Sequence, residues 1–256
     1  MSSSVGQYLA LVLYALPGLI IGFVLHELAH AFVAVRLGDP TPRRLGRITL
    51  NPREHIDPVG LGMLLTVGFG WAKPVTFSTA YIRTGLQQAM VAAAGPLTNL
   101  VLAGVFAGLL HVVLAVSPEA PLHVFDGLTP DGRISFGHGG ADAVTYWFLN
   151  EAFFVNVVLF VFNSIPIPGL DGYAVARGLL GRHMPGLFHA MEANRQLIWG
   201  LALIVLFILP QMGNGGVNPL THIIDSTDNF LYRTFVDSGG TALPAGLPNI
   251  TLLFNG

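Results

Sequence analysis

Two histidines and a glutamate stand close together in an apolar stretch near the start of the chain. They belong to the segment HELAHAF, His26–Phe32, which lies inside an apolar run from Tyr8 to Val35. Because His26 and His30 are four residues apart, a helix places them on one face, where both can bind one metal ion. Glu27 lies beside that face, within reach of a water molecule at the ion. The pattern predicts hydrolysis by a metal-activated water.

Zinc is the metal that suits this chemistry. It is redox-inert, it leaves one coordination position open for water, and it lowers the pKa of that water to about 7. The alternative is a pair of structural histidines satisfied by neighbouring helices, but this alternative leaves the Glu27 carboxylate alone in hydrocarbon. A charge at the centre of a membrane helix costs about 2.5–3.5 kcal/mol, so such residues usually serve a function.

A second polar stretch can supply a third ligand. It is NSIPIPGLDG, Asn163–Gly172, at the end of another apolar run. Pro166 and Pro168 remove backbone donors and break the helix, and irregular backbone at membrane depth is tolerated only where it is buried in protein or lines a wet cavity. We therefore expect this segment to line a site and to present Asp171. The alternative role for Asp171 is the N-cap of a helix that starts at Gly172, and both roles can coexist.

The elements that must position these residues are membrane helices. The 256-residue chain is 52% hydrophobic and 10% charged, and its mean hydropathy is +0.63, whereas soluble domains carry about 25% charged residues. The net charge of −2 does not indicate nucleic acid binding, and the absence of cysteine excludes disulfides and thiolate metal ligands. Four segments approach the ~20 residues that a spanning helix needs. They are Tyr8–Val35, Leu86–Val116, Ala143–Ile165 and Gln196–Pro210, and the shorter Val59–Trp71 is expected to dip into the membrane or pack on it.

Charged residues alternate between the connections of these segments. Of the 12 basic residues, seven lie in Arg36–Arg83 and three in Gly172–Arg195. Ser117–Asp142 and the tail after Pro210 hold one basic residue each, beside several carboxylates. By the positive-inside rule, the two basic connections are cytoplasmic and both termini lie outside the cytoplasm.

The two polar stretches are predicted to lie at the same depth. His30 precedes Arg36 by six residues, which places it about 9 Å inside the cytoplasmic boundary at 1.5 Å per residue. The third apolar segment starts outside near Ala143 and reaches the same face near Asn163. The sequence therefore predicts that the two motifs meet close to the cytoplasmic side.

With both motifs in place, the sequence resembles the site-2 protease family of intramembrane zinc metalloproteases. HELAH matches the family's H-E-x-x-H, and NSIPIPGLDG matches its N-x-x-P-x-P-x-L-D-G. Three stretches between them also match, in the same order: GDPTPRRLGRITLNPREHIDPVG at Gly38–Gly60, GWAKPV at Gly70–Val75 and AAAGPLTN at Ala92–Asn99. No PDZ-like insertion and no nucleotide-sensing domain fit into this length, so the resemblance is to the minimal membrane core of the family.

The resemblance implies one zinc ion held by His26, His30 and Asp171. It implies that Glu27 is the general base and that Asn163 is a catalytic residue that orients the substrate or stabilises the oxyanion. The implied substrate is a membrane protein with a single span, and the implied location is the cell membrane, plasma or inner. Two alternatives stay open: a non-catalytic relative that binds metal or holds substrate, and an enzyme whose third ligand is Glu54, as in soluble thermolysin-like proteases.

The expected fold is an all-α polytopic membrane protein. It has about four transmembrane helices, a short re-entrant or membrane-associated segment, and a small cytoplasmic β element formed by Arg47–Leu50 and Val75–Phe77. Residues 1–210 are expected to form the metalloprotease core. Residues 211–256 are expected to form an extracytoplasmic tail with a helix along the outer surface.

Overall fold

The computed structural model describes residues 2–67, 70–118, 120, 140–205 and 226–227, and within these ranges the chain is helical with no strand. Its helices follow one another along the chain as α1 (Ser2–Arg36), α2 (Thr41–Arg44), α3 (Pro52–His55), α4 (Pro58–Val67), α5 (Gly85–Val116), α6 (Ala141–Ser164), α7 (Asp171–Leu180), α8 (Pro185–Ala193) and α9 (Arg195–Leu203).

Three of these helices are long and apolar enough to cross a membrane. The candidate spans are Val12–Arg36 in α1, Gly85–Val116 in α5 and Ala141–Ser164 in α6. They confirm the first three predicted segments to within a few residues, and the chain is a multi-pass membrane protein. The fourth predicted segment begins with α9, and its remainder lies outside the described residues, as does the tail after residue 210 apart from residues 226–227.

The long helices pack against one another, and glycines allow the closest approach. α1, α5 and α6 are mutual neighbours, and α7 lies against α5. A Cβ added at Gly18 of α1 would overlap the backbone of Ala152 in α6, and one added at Gly22 would meet Leu159 and Asn156. The Gly18 and Gly22 pair, a small-residue pattern that permits tight packing of membrane helices, therefore joins α1 to α6.

The ends of two helices set the position of Asp171. α6 stops at Ser164 because Pro166 and Pro168 cannot continue the helical hydrogen bonds. The chain then reverses, and α7 begins with Asp171. A Cβ at Gly172 would overlap the carbonyl of Ser164, so only glycine lets the start of α7 lie against the end of α6.

The predicted cytoplasmic β element is wrong. Within the described residues, neither Arg47–Leu50 nor Val75–Phe77 is a strand, and an isolated antiparallel bridge joins Ile56 to Ala72 instead. The guanidinium of Arg47 donates to the carbonyl oxygens of Lys73 and Pro74. The side chain of Arg47 thus binds backbone carbonyls just before Val75–Phe77, and Pro74 there has no N–H to donate to a ladder.

The short apolar segment after the first basic loop forms α4. This helix has ten residues, about 15 Å of length, which is half of the hydrocarbon thickness. It cannot span a bilayer by itself.

Candidate metal centre

Three ligand atoms converge between α1 and the start of α7. His26 Nε2 and His30 Nε2 lie 3.1 Å apart, and Asp171 Oδ2 lies 3.1 Å from the first and 3.3 Å from the second. Both histidines are buried, and Asp171 is partly buried. The structure therefore brings together the two histidines of the first motif and the aspartate of the second.

The hydrogen bonds of the two rings show which nitrogen atoms face this cluster. His30 Nδ1 lies 2.7 Å from the backbone carbonyl oxygen of Val91, and His26 Nδ1 lies 2.6 Å from Asn99 Oδ1. Both partners are acceptors, so each Nδ1 carries the proton and each neutral ring turns an Nε2 lone pair toward the other. Two lone pairs and a carboxylate oxygen at about 3 Å repel one another unless a cation lies among them.

The residues present fit zinc. Bonds of about 2.0–2.2 Å in tetrahedral geometry separate neighbouring ligand atoms by about 3.3–3.6 Å, and the three separations here are 3.1, 3.1 and 3.3 Å. Two imidazoles and one carboxylate are a catalytic donor set, because three protein ligands leave the fourth position for water or substrate. Each histidine donates its other N–H to an oxygen, as metal-binding histidines usually do.

Asp171 is a ligand candidate and not the helix cap. It is the first residue of α7, and the N-cap position belongs to Leu170, which makes no side-chain cap hydrogen bond. Asp171 Oδ2 lies 3.1 Å from His26 Nε2 and 3.3 Å from His30 Nε2, so the carboxylate is directed at the histidines.

Glu27 lies beside the cluster and contacts the segment between α4 and α5. Its side chain is buried, and its Oε2 accepts a hydrogen bond of 3.0 Å from the backbone N–H of Val75. Val75 follows Lys73 and Pro74, whose carbonyl oxygens accept hydrogen bonds from the buried Arg47. Arg47 thus holds the segment that covers the glutamate.

Gly95 of α5 faces the metal-binding atoms directly. A Cβ added there would meet the Nε2 atoms of His30 and His26 and would lie 2.6 Å from His26 Cε1. Val91, Gly95 and Asn99 are spaced four residues apart on one face of α5. Val91 and Asn99 bind the two histidines, and Gly95 between them leaves the space beside their Nε2 atoms free of a side chain.

Two other predicted candidates are not members of this ligand cluster. Glu54 belongs to the short helix α3, and it is not a member of the cluster whose ligand atoms lie within 4.8 Å of one another. Asn163 is partly buried in the last turn of α6, and its Nδ2 donates to the carbonyl oxygen of Leu159, 2.9 Å away. That hydrogen bond lies within the helix.

Sequence reasoning gave no role to Gly95 or Asn156. The usable signal was polarity: an asparagine inside an apolar span needs a hydrogen-bonding partner, because the bilayer offers none. Asn156 sits two turns before Asn163, hence on the same face of α6. Its link to the site runs through Asn99, which no local pattern reveals.

The fold and the cluster together define a membrane-embedded metalloprotease. The sequence pattern of Peptidase family M50 matches residues 14–208. Among curated proteins, the chain is 36% identical over 203 residues to "Putative zinc metalloprotease YwhC" of Bacillus subtilis, covering 79% of this chain and 83% of the relative. It is 32% identical over 213 residues to "Putative zinc metalloprotease Rip2" of Mycolicibacterium smegmatis, covering 80% of this chain and 71% of the relative. No solved structure matches it significantly.

The chain belongs to Peptidase family M50, the site-2 protease family. This bears out the resemblance seen in the two motifs, and the chain is an intramembrane metalloprotease of that family.

Proposed function

We propose that this protein is a zinc-dependent intramembrane endopeptidase in which His26, His30 and Asp171 hold one zinc ion. The observation that carries the proposal is the convergence of three lone-pair donors 3.1–3.3 Å apart inside a membrane helix bundle. When bound, zinc lowers the pKa of a water molecule and polarises the carbonyl of the peptide bond to be cleaved.

Glu27 serves as the general base. Its carboxylate takes a proton from the attacking water as the water oxygen bonds to the scissile carbonyl carbon. It then passes this proton to the amide nitrogen as the C–N bond breaks, so the amine leaves neutral. The hydrogen bond from Val75 N–H to Oε2 holds the carboxylate in place and leaves Oε1 for the water. Asn163 has a supporting role, orienting the substrate or stabilising the oxyanion, since a donor aimed at developing charge contributes about 3–4 kcal/mol in such sites.

The substrate is a membrane protein, with a single span as the simplest case. The cluster lies six residues from Arg36, the basic residue at the end of α1, so cleavage falls near the cytoplasmic end of the substrate's span. A substrate helix must unwind there before an amide carbonyl can reach the site, because its backbone is otherwise shielded by its own hydrogen bonds.

The remaining architecture follows from the charge pattern. Four transmembrane helices, with α9 as the start of the fourth, place both termini outside the cytoplasm of a plasma or inner membrane. α4 is the membrane-associated segment. Residues 1–210 are the protease core, and residues 211–256 are an extracytoplasmic tail.

Glu27→Gln tests the catalytic assignment. Glutamine keeps the shape of the side chain and an acceptor for Val75 N–H but cannot take a proton. We expect the purified variant to bind zinc as the parent does and to cleave a single-span substrate in liposomes at least about 10²-fold more slowly. A variant that cleaves as fast as the parent would show that Glu27 is not the base.

Single cysteines in this cysteine-free chain test the orientation. We expect a membrane-impermeant thiol reagent to label positions 135 and 238 in intact cells. A cysteine at Thr41, just after α1, should react only after the membrane is opened. Labelling of position 41 in intact cells contradicts the orientation but leaves the catalytic assignment standing.

A further inference from the structure

Two asparagines extend the metal centre into the middle of the helix bundle. Asn99 of α5 and Asn156 of α6 are both fully buried. Asn99 Oδ1 lies 2.6 Å from His26 Nδ1, and Asn99 Nδ2 donates to Asn156 Oδ1 over 2.9 Å and to the carbonyl oxygen of Gly22 over 3.3 Å. Asn156 Nδ2 donates to the carbonyl oxygen of Ala152 over 2.8 Å. These bonds link α1, α5 and α6 at the level of His26.

The direction of this chain of bonds is fixed by backbone groups. An asparagine amide can turn over, which exchanges its donor and acceptor ends. Here the Nδ2 of each asparagine faces a backbone carbonyl, that of Gly22 or that of Ala152, which only a donor can satisfy. Asn99 must therefore present its oxygen to His26, and Asn156 must present its oxygen to Asn99.

We propose that Asn99 and Asn156 are positioning residues for the metal centre: they form a buried relay that fixes His26 with its Nδ1 protonated and its Nε2 directed at the metal. This inference rests on the proposed function, because the state of His26 matters only if Nε2 binds the ion. His30 obtains the same orientation from the backbone carbonyl of Val91. His26 alone depends on side chains.

The relay supplies a directed acceptor where the helix itself has none. In α5, Gly95 is followed by Pro96. Here α5 approaches α1 so closely that a side chain at Gly95 would meet the rings of His26 and His30. Near His30, this close approach brings the backbone carbonyl oxygen of Val91 within hydrogen-bonding distance of the ring. Near His26, eight residues further along α5, the acceptor is the side chain of Asn99. Without the oxygen of Asn99, the neutral His26 ring can place its proton on Nε2, which cannot then bind a metal.

Substitutions at Asn99 separate the acceptor from packing. Asn99→Leu has a similar volume and no acceptor, whereas Asn99→Asp keeps an oxygen facing His26. Zinc affinity of the purified full-length chain in detergent is measured by competition with a chelator, independently of cleavage. We expect Asn99→Leu to weaken zinc binding by about 10–100-fold, the usual effect of losing the partner of a metal-binding histidine. Asn99→Asp should bind zinc more tightly than Asn99→Leu because it keeps the acceptor for His26, but less tightly than the parent because it cannot donate to Gly22 and Asn156.

Asn156 acts through Asn99, and a double variant tests this. We expect Asn156→Leu to weaken zinc binding in the same direction but less than Asn99→Leu, because Asn99 keeps its bond to Gly22. The double variant should bind no more weakly than Asn99→Leu alone, since residues in one hydrogen-bond network are non-additive. Asn194→Leu is the matched control: its Nδ2 also donates to the carbonyl four residues back, but at the protein surface. It should bind zinc as the parent does.

Three outcomes would overturn the relay. Parent-like zinc affinity in Asn99→Leu would show that His26 needs no acceptor. Equal losses in Asn99→Leu and Asn99→Asp would assign the effect to packing. Additive losses in the double variant would show that Asn156 does not act through Asn99. A parent chain that binds no zinc would instead overturn the proposed function, on which the relay rests. Because this result differs from the three above, failure of the relay and failure of the proposed function are distinguishable.

Discussion

Replacing Gly95 with alanine adds one methyl group at the point where α5 faces the two metal-binding histidines. The methyl carbon would lie 2.6 Å from His26 Cε1 and against the Nε2 atoms of both rings. Carbon atoms in contact normally lie about 3.5–4.0 Å apart, so α5 must move outward by about 1 Å or the rings must turn away. Metal sites tolerate ligand displacements of only about 0.2 Å. We therefore expect Gly95→Ala to disrupt the site.

The size of the effect follows from the cost of overpacking. Inserting a methyl group into a closely packed interior costs about 1–3 kcal/mol. If the strain is relieved by displacing the rings, zinc affinity falls by about 5–150-fold, because each 1.4 kcal/mol corresponds to a factor of ten. Cleavage should fall at least as much, since the same methyl group occupies the space beside the Nε2 atoms.

The assay compares Gly95→Ala with Gly104→Ala. Both glycines lie in α5, but a Cβ added at Gly104 would meet no atom of the described residues within 4 Å beyond its chain neighbours and the backbone of its own helix. Chelator competition on the purified proteins gives zinc affinity, and thermal unfolding without zinc reports overall packing. Gly104→Ala should bind zinc like the parent. Equal zinc affinity in the two variants would refute the close approach of α5 to the histidines.

Three further predictions concern Asp171, Arg47 and Asp39. Asp171→Asn should weaken zinc retention strongly and abolish cleavage, whereas Glu54→Gln should change neither; zinc lost only with Glu54→Gln would contradict the ligand set. Arg47→Gln should retain zinc but lower the cleavage rate, because the segment whose N–H donates to Glu27 is no longer fixed by the guanidinium. An unchanged rate would show that fixing this segment is not needed for cleavage. Burial raises the pKa of the Asp39 carboxyl, but hydrogen bonds from Thr41 and the Ser78 N–H, with the charge of Arg44, outweigh it and lower the pKa. The ionised form therefore stabilises the fold above pH ~4. Asp39→Asn should lower the free energy of unfolding at pH 7 by about 1–3 kcal/mol, measured as a lower thermal midpoint, and the difference should fade as the pH falls below 4.

The membrane helices could be predicted because length and hydropathy determine them almost alone. α5 was expected from Leu86 and begins at Gly85, where Thr84 and Gln87 form a capping box. α6 ends one residue before its expected limit, since the prolines of NSIPIPGLDG make continuation impossible. Both results depend on local chemistry, which a single sequence carries.

The segments between α1 and α5 were harder to predict, because β-branched residues indicate a strand only if a partner strand is available. Arg47 shows why the prediction was wrong. Its guanidinium binds the carbonyl oxygens of Lys73 and Pro74, a tertiary contact that no periodicity in the sequence announces.

The candidate site likewise has a part that could be predicted from the sequence and a part that could not. His26, His30 and Asp171 were found from the spacing of the first motif and the broken helix of the second, and the structure brings them together. The role of Gly95 and the bond from Asn99 to Asn156 depend on the register between α1, α5 and α6. Small residues and a few polar atoms set that register at long range, so the surroundings of the ligands could not be predicted.

The central claim is that zinc at His26, His30 and Asp171 performs the cleavage. The most direct measurement takes samples of the purified protein stripped of metal to different extents, and determines zinc content and the rate of cleavage of a single-span substrate in each. We predict one zinc per chain at saturation, a rate that falls in proportion to bound zinc, and no cleavage when zinc is absent. Cleavage that persists at the full rate in zinc-free protein would contradict the claim.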